Sequence, residues 1–146
     1  MASIGFIGLG NMGLPMALNL QKAGYRVSGY DVVDTAQEAA RSSGLALATS
    51  NADAALSADA VIMMLPNGAI AITVAKEILS KMTPGSLLID CSTIDVASAH
   101  EVHKLATEAG ILCLDAPVSG GVGGAAAGSL TFMVGGTNEA FSNGEP

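Results

Sequence analysis

The stretch Ile4-Gly5-Phe6-Ile7-Gly8-Leu9-Gly10-Asn11-Met12-Gly13-Leu14 decides how the rest of the chain is read. Ile4 to Ile7 is a short strand candidate. Asn11 to Ala23 follows with helical spacing through Leu14, Ala17 and Leu18, and stops at Gly24, a residue suited to the position just past a helix. Pro15 falls in the first turn, where its missing N–H costs little. Between strand and helix lies G-x-G-x-x-G. Gly8 permits the tight turn. Gly10 lacks the Cβ that would hold an anion away from the backbone. Gly13 lets the helix close on the strand. A helix N-terminus offers unpaired N–H groups and a partial positive charge, so Gly8, Leu9, Gly10, Asn11, Met12 and Gly13 form a candidate diphosphate cradle that needs no Lys or Arg. With 18 glycines in 146 residues such a spacing arises by chance, and its place between a strand and a helix is what gives it weight.

The next strand candidate, Tyr25 to Tyr30, ends in Asp31, 18 residues beyond Gly13. A dinucleotide-binding fold places a ribose-binding acid about 20 residues past its glycines. A carboxylate accepts hydrogen bonds from the adenosine 2′-OH and repels a 2′-phosphate, a like-charge contact that costs on the order of several kcal/mol. No arginine follows until Arg41. NAD, in preference to NADP, is the expected cofactor. The competing reading is that Asp31 only caps a turn.

Outward from this stretch, short apolar runs alternate with helical segments. Thr35 to Ser43 reads as a helix, Ala46 to Ala48 as a strand and Ala52 to Leu56 as a small helix. Ala60 to Leu65 is continuously apolar, the mark of a strand covered on both faces. Ala69 to Lys81 and Val96 to Ala109 are helical. Ser86 to Asp90 and Ile111 to Leu114 are strands, and Leu130 to Val134 is read as the last one. Strands alternating with helices predict a Rossmann-type doubly wound α/β domain with a mostly parallel sheet, ordered 3-2-1-4-5-6 over its first six strands. The domain is expected to span 1-136, with 137-146 beginning a further helix. Val118 to Ser129, rich in Gly, Ala and Ser, reads from composition as either a flexible linker or a structured loop.

Composition narrows the function. Six Lys+Arg against 13 Asp+Glu leave a net charge of −7, which disfavours nucleic acid or an anionic membrane as partner. Aromatics are 3% of the chain and Trp is absent, so base stacking is poorly served. Cys91 and Cys113 sit in separate apolar runs and read as small buried hydrophobes in a reducing, cytoplasmic compartment. Met1 to Leu20 lacks a positive start and is interrupted by four glycines and Pro15, so no export signal is expected. His100 and His103 are three apart on one helix with no third ligand near in sequence, and no metal is expected. Ser92 and Ser119 lack the G-x-S-x-G setting of a hydrolase nucleophile.

Three ordered blocks carry a family resemblance. Gly5 to Gly13 with Pro15-Met16-Ala17 and Asn19-Leu20, then Asp90-Cys91-Ser92-Thr93-Ile94-Asp95, then Asp115-Ala116-Pro117-Val118-Ser119-Gly120-Gly121, resemble the β-hydroxyacid dehydrogenases. With Leu130 to Gly136, the likeness is nearest to the 3-hydroxyisobutyrate dehydrogenase branch. The resemblance implies NAD-dependent oxidation of a short 3-hydroxy acid to its semialdehyde. A homo-oligomer is expected, because the surface that a second domain would cover should be apolar and exposed. The resemblance also implies that Leu65 and Pro66 lie along the cofactor and that Thr93 meets the nicotinamide half. Ser119, Gly120 and Gly121 would hold the substrate carboxylate, which assigns a role to the first half of the Gly-rich segment. Relatives often carry an Asn where this chain has Ile70, which leaves one polar cofactor contact unaccounted for. The family's catalytic Lys comes from an all-helical second domain. Here the last lysine is Lys104, ahead of the substrate loop, so no catalytic residue is assigned and this chain alone is expected to be inactive. The rival functions are a non-catalytic NAD-binding module and a reductase of tartronate semialdehyde or another short aldehyde.

Overall fold

A computed structural model describes residues 2–146. The chain runs β1 (Ser3–Ile7), α1 (Gly13–Lys22), β2 (Arg26–Tyr30), α2 (Asp34–Ser42), β3 (Ala46–Leu47), α3 (Asn51–Ala55), β4 (Ala60–Met63) and α4 (Gly68–Ile78). A single 3-10 turn, Leu79–Lys81, prolongs α4. Then come β5 (Leu87–Asp90), α5 (Val96–Glu108), β6 (Leu112–Asp115), β7 (Val118–Ser119), α6 (Gly121–Ala127), β8 (Thr131–Phe132), β9 (Gly135–Gly136) and α7 (Asn138–Gly144).

Seven strands form one sheet in the order β3-β2-β1-β4-β5-β6-β9. All neighbours are parallel except β6 and β9. The first six therefore follow the predicted order. The chain leaves β1 toward one edge and returns at β4 to build toward the other, so a switch point lies between β1 and β4 at the strands' C-terminal ends.

Side-chain alternation divides the core. Val61 and Met63 of β4, with Leu88 of β5, face α4 and α5, where Ala71, Val74, Ala75, Ile78, Val102 and Ala106 meet them. Ile62 points the other way, with Phe6, toward Met16 and Ala17 of α1 and Ala125 of α6. Sealing a side chain such as Phe6, Met63 or Leu88 contributes about 1.5–3 kcal/mol each. Caps set the helix starts: Ser50, Asn67, Asp95 and Thr137 each accept a main-chain N–H from the first turn of the helix they precede. On the α1 side, an apolar cavity of about 450 Å³ lies between Phe6, Ile62, Ile89 and Leu114 and the rings of Phe132 and Phe141. None of residues 8–13 lines it.

Two segments depart from expectation. Leu130 to Val134 does not join the main sheet. Thr131–Phe132 pairs with Val118–Ser119 as a separate antiparallel ribbon. The seventh strand of the sheet is Gly135–Gly136, set antiparallel on Leu114 and Asp115. A Cβ on Gly136 would stand 2.7 Å from Leu114 Cδ2 and 2.8 Å from the Cys113 carbonyl, so only glycine comes this close. The Gly-rich segment is likewise no linker. Residues 121–127 form α6, and Asn19 of α1 donates to the carbonyl of Ala125 at 2.7 Å.

Candidate functional site

The loop after β1 is built by close approach. A Cβ on Gly13 would lie 1.8 Å from the carbonyl oxygen of Gly8, and one on Gly8 would lie 2.1 Å from that of Met64. Gly8 also holds φ at +98°, and its N–H donates to the Tyr30 carbonyl at 3.0 Å. These two glycines let β1, β4 and α1 meet. Gly10 differs: a Cβ there would find nothing within 4 Å. Its open side is exposed, and the protein itself makes no demand for glycine at that position.

Among the described residues, the N–H groups of Gly10, Asn11, Met12 and Gly13 have no acceptor. Leu14 N–H, one residue further, already bonds the Gly10 carbonyl. Four free donors at a helix N-terminus, with a bare backbone beneath, suit a diphosphate by charge and by shape. Leu9 plays another part. Its side chain is buried in the core against Gly29, and its N–H donates to Asp31 Oδ2 at 2.8 Å.

Asp31 thus braces the loop. Its other oxygen accepts the Val33 N–H at 2.8 Å, so the carboxylate does cap its own turn, and it also ties β2 to the glycine loop. Each carboxylate oxygen has room for a further donor. Arg41, the first arginine downstream, is engaged with Glu38 at 2.7 Å on the exposed side of α2.

The other sequence-chosen residues fall in two places, the first three just past strands of the main sheet and the last three at the separate ribbon. Leu65 and Pro66 follow β4, Thr93 follows β5, and Ser119, Gly120 and Gly121 lie at the end of β7. Leu65 is half-buried, while Pro66, Thr93, Ser119, Gly120 and Gly121 are exposed. Ile70 is partly exposed on the first turn of α4, whose N-cap Asn67 accepts the Ile70 N–H at 3.0 Å.

Sequence reasoning gave no role to a set of polar groups at the strand ends. Asp90 and Ser92 are each 2% exposed. Asp90 Oδ1 accepts the Ser92 N–H at 3.0 Å, and Ser92 Oγ accepts the Leu65 N–H at 2.8 Å. Burial pushes the Asp90 carboxyl above its ordinary value, the bonds from Ser92 oppose the shift, and Asp115 adds to it. His103 is not a free solvated side chain, since Nε2 meets Asp115 Oδ1 at 2.8 Å. The signal available in sequence was an acid closing an apolar run, Leu87-Leu88-Ile89-Asp90. Burial, with Asp90 as a lesser cause, pushes the Cys91 thiol up to about 12. Burial likewise pushes Cys113 up to about 12. Neither thiol supplies a thiolate at neutral pH. Among the described residues no helix is long and apolar enough to cross a membrane, and no three His, Cys, Asp or Glu side chains are placed to hold a metal ion.

Comparison with known proteins identifies the family of this fold. The crystal structure of Mycobacterium tuberculosis 3-hydroxyisobutyrate dehydrogenase with L-serine superposes on the whole chain with a TM-score of 0.97 and 48% identity, the match covering 50% of that protein. The NAD-dependent L-serine dehydrogenase of Pseudomonas aeruginosa is 47% identical over 149 residues, covering 100% of this chain and 50% of the relative. The mitochondrial 3-hydroxyisobutyrate dehydrogenase of Homo sapiens is 50% identical over 142 residues, 95% of this chain and 42% of the relative. The chain therefore spans about half the length of these relatives. The profile described as the NAD binding domain of 6-phosphogluconate dehydrogenase matches residues 3–146. A glycine cradle at a sheet switch point, an acid at the end of β2 and a family match along nearly the full chain converge, and the chain belongs to the NAD binding domain family of 6-phosphogluconate dehydrogenase.

Proposed function

We propose that this chain is the cofactor-binding half of an NAD-dependent dehydrogenase of short 3-hydroxy acids. The observation that carries the reading is the run of four N–H groups, Gly10 to Gly13, without an acceptor among the described residues, at a helix start where a Cβ on Gly10 would meet nothing within 4 Å. In this reading Gly8 to Gly13 cradle the diphosphate and Asp31 takes the adenosine ribose hydroxyls, selecting NAD over NADP. Leu65 and Pro66 flank the dinucleotide, and Thr93 orients its nicotinamide end. Ser119, Gly120 and Gly121 hold the substrate carboxylate through a hydroxyl and main-chain N–H groups. Bound NAD supplies the hydride acceptor for the hydroxyl-bearing carbon. The whole protein's part is to hold that carbon near the nicotinamide and to supply a base that takes the hydroxyl proton, a role to which no residue of this chain is assigned.

The substrate class includes both 3-hydroxyisobutyrate and L-serine, each a hydroxyl-bearing short acid named in the relatives above. Residues 1-136 form the binding domain, and α7 begins the connection onward, docked on the sheet through Ala140 against Leu87 and Leu114. No lysine follows Lys104, so the chain alone should bind NAD without turnover.

Calorimetry tests the reading. NAD should give a binding isotherm and NADP one at least about tenfold weaker. No heat from either at millimolar concentration overturns it. Turnover of a 3-hydroxy acid by the 146-residue chain at the rate of a full-length relative would overturn the half-site assignment.

A further inference from the structure

We infer that Asp90 is a positioning residue of the dinucleotide site, acting through Ser92 to fix the main chain at Leu65. The inference rests on the NAD-binding reading above and extends it to a residue that touches no ligand.

The bonds form a series across three strand ends. Asp90 Oδ1 takes the Ser92 N–H, and Ser92 Oγ takes the Leu65 N–H. Leu65 adjoins the Met64 carbonyl, the atom against which Gly8 is packed. The series thus runs from the end of β5, past β4, to the first glycine of the cradle. Nothing else in the bonding of Asp90 explains its burial. Its Oδ2 is sealed from solvent and has no hydrogen-bond partner among the described residues. Its register neighbour on β6 is another acid, Asp115, itself held by His103. A leucine in this place would avoid the cost of burying a carboxyl. What a leucine would lose is the acceptor that sets Ser92, and through it the direction of the chain at Leu65.

Asp90→Asn keeps an acceptor for Ser92 and resembles the neutral acid, so its NAD affinity should stay within about threefold of the parent chain. Asp90→Ala and Ser92→Ala should each weaken NAD about tenfold while circular dichroism shows a folded chain. Since the two residues act in series, the double variant should also be about tenfold weaker, not a hundredfold. Additive losses, or unchanged affinity in folded Asp90→Ala and Ser92→Ala, overturn the inference. If Asp90→Ala does not fold, amide exchange at Leu65 decides: it should quicken in Ser92→Ala and not in Asp90→Asn, and equal exchange in both overturns the inference. A parent chain that binds no NAD fails the reading beneath it, whereas a binding parent with indifferent variants fails only this step.

Discussion

The molecule has two glycine-rich segments, and they use glycine in opposite ways. In residues 8–13, Gly8 and Gly13 are demanded by the fold, because a Cβ on either would meet a main-chain oxygen at 2.1 or 1.8 Å. In residues 120–128 two of the five glycines face space, since a Cβ on Gly121 or Gly123 would find nothing within 4 Å, and none of the five would bring a Cβ against a main-chain oxygen. The first loop is braced from beneath by Asp31 and from the side by β4. The second is exposed along most of its length and anchored by Ala125 and by the Asn19 amide. The difference teaches where each half-site gets its shape. The proposed cofactor cradle is shaped by the fold itself, while the candidate substrate loop depends on a few contacts.

Substitutions can break this contrast or sharpen it. The largest effect is expected at Gly13→Ala, whose methyl meets the Gly8 carbonyl. Urea unfolding should report a loss of about 3 kcal/mol, and a loss near zero would show that the loop yields. Gly10→Ala inverts the pattern: stability should hold within about 0.5 kcal/mol, since the site is roomy. NAD affinity measured by calorimetry should fall about tenfold, because the methyl enters the ligand's space. Asn19→Ala removes the tie between α1 and α6. It should cost about 1 kcal/mol and speed amide exchange in residues 121–127, with NAD affinity unchanged. A matching slowdown of NAD binding would mean that the two segments are not separable.

The smallest effect is on pH dependence. Burial raises the Asp90 carboxyl above 3.8, with Asp115 adding to the shift and His103 opposing it. A raised acid favours the fold fully below its unfolded value and loses that contribution as pH rises through its folded value. Asp90→Asn should flatten that part of the stability profile in acid-range urea titrations. A profile identical to the parent's would show that the burial has no thermodynamic consequence.

Most of the parallel sheet was legible in sequence because its strands are covered on both faces. Runs such as Ala60 to Met63 carry that signature, and the glycine motif located the first turn. The place of Asp31 directly after β2 was legible from the run before it, whereas its bond to the Leu9 N–H was not. The misread segments fail for a shared reason. Phe132, Met133 and Val134 are apolar, which suggested a sheet strand, yet all three are exposed. Gly135 and Gly136 carry no apolar signal, yet they pair with β6 because their lack of side chains permits it. In α6 three glycines oppose helix formation by about 1 kcal/mol each, and packing of Ala125 with the Asn19 clamp overrides them. Asp90 and Ser92 stand within one of the family-like blocks, but a bond spanning 27 positions, as from Leu65 to Ser92, has no local pattern to betray it.

The proposed cradle would grip with amides alone, since residues 8–13 carry no Lys or Arg, in a chain of net charge −7. At long range, then, protein and dinucleotide repel one another, and attraction begins only within the last few ångströms. Raising ionic strength within the physiological range should therefore speed the encounter, the reverse of what a lysine-lined phosphate pocket would do.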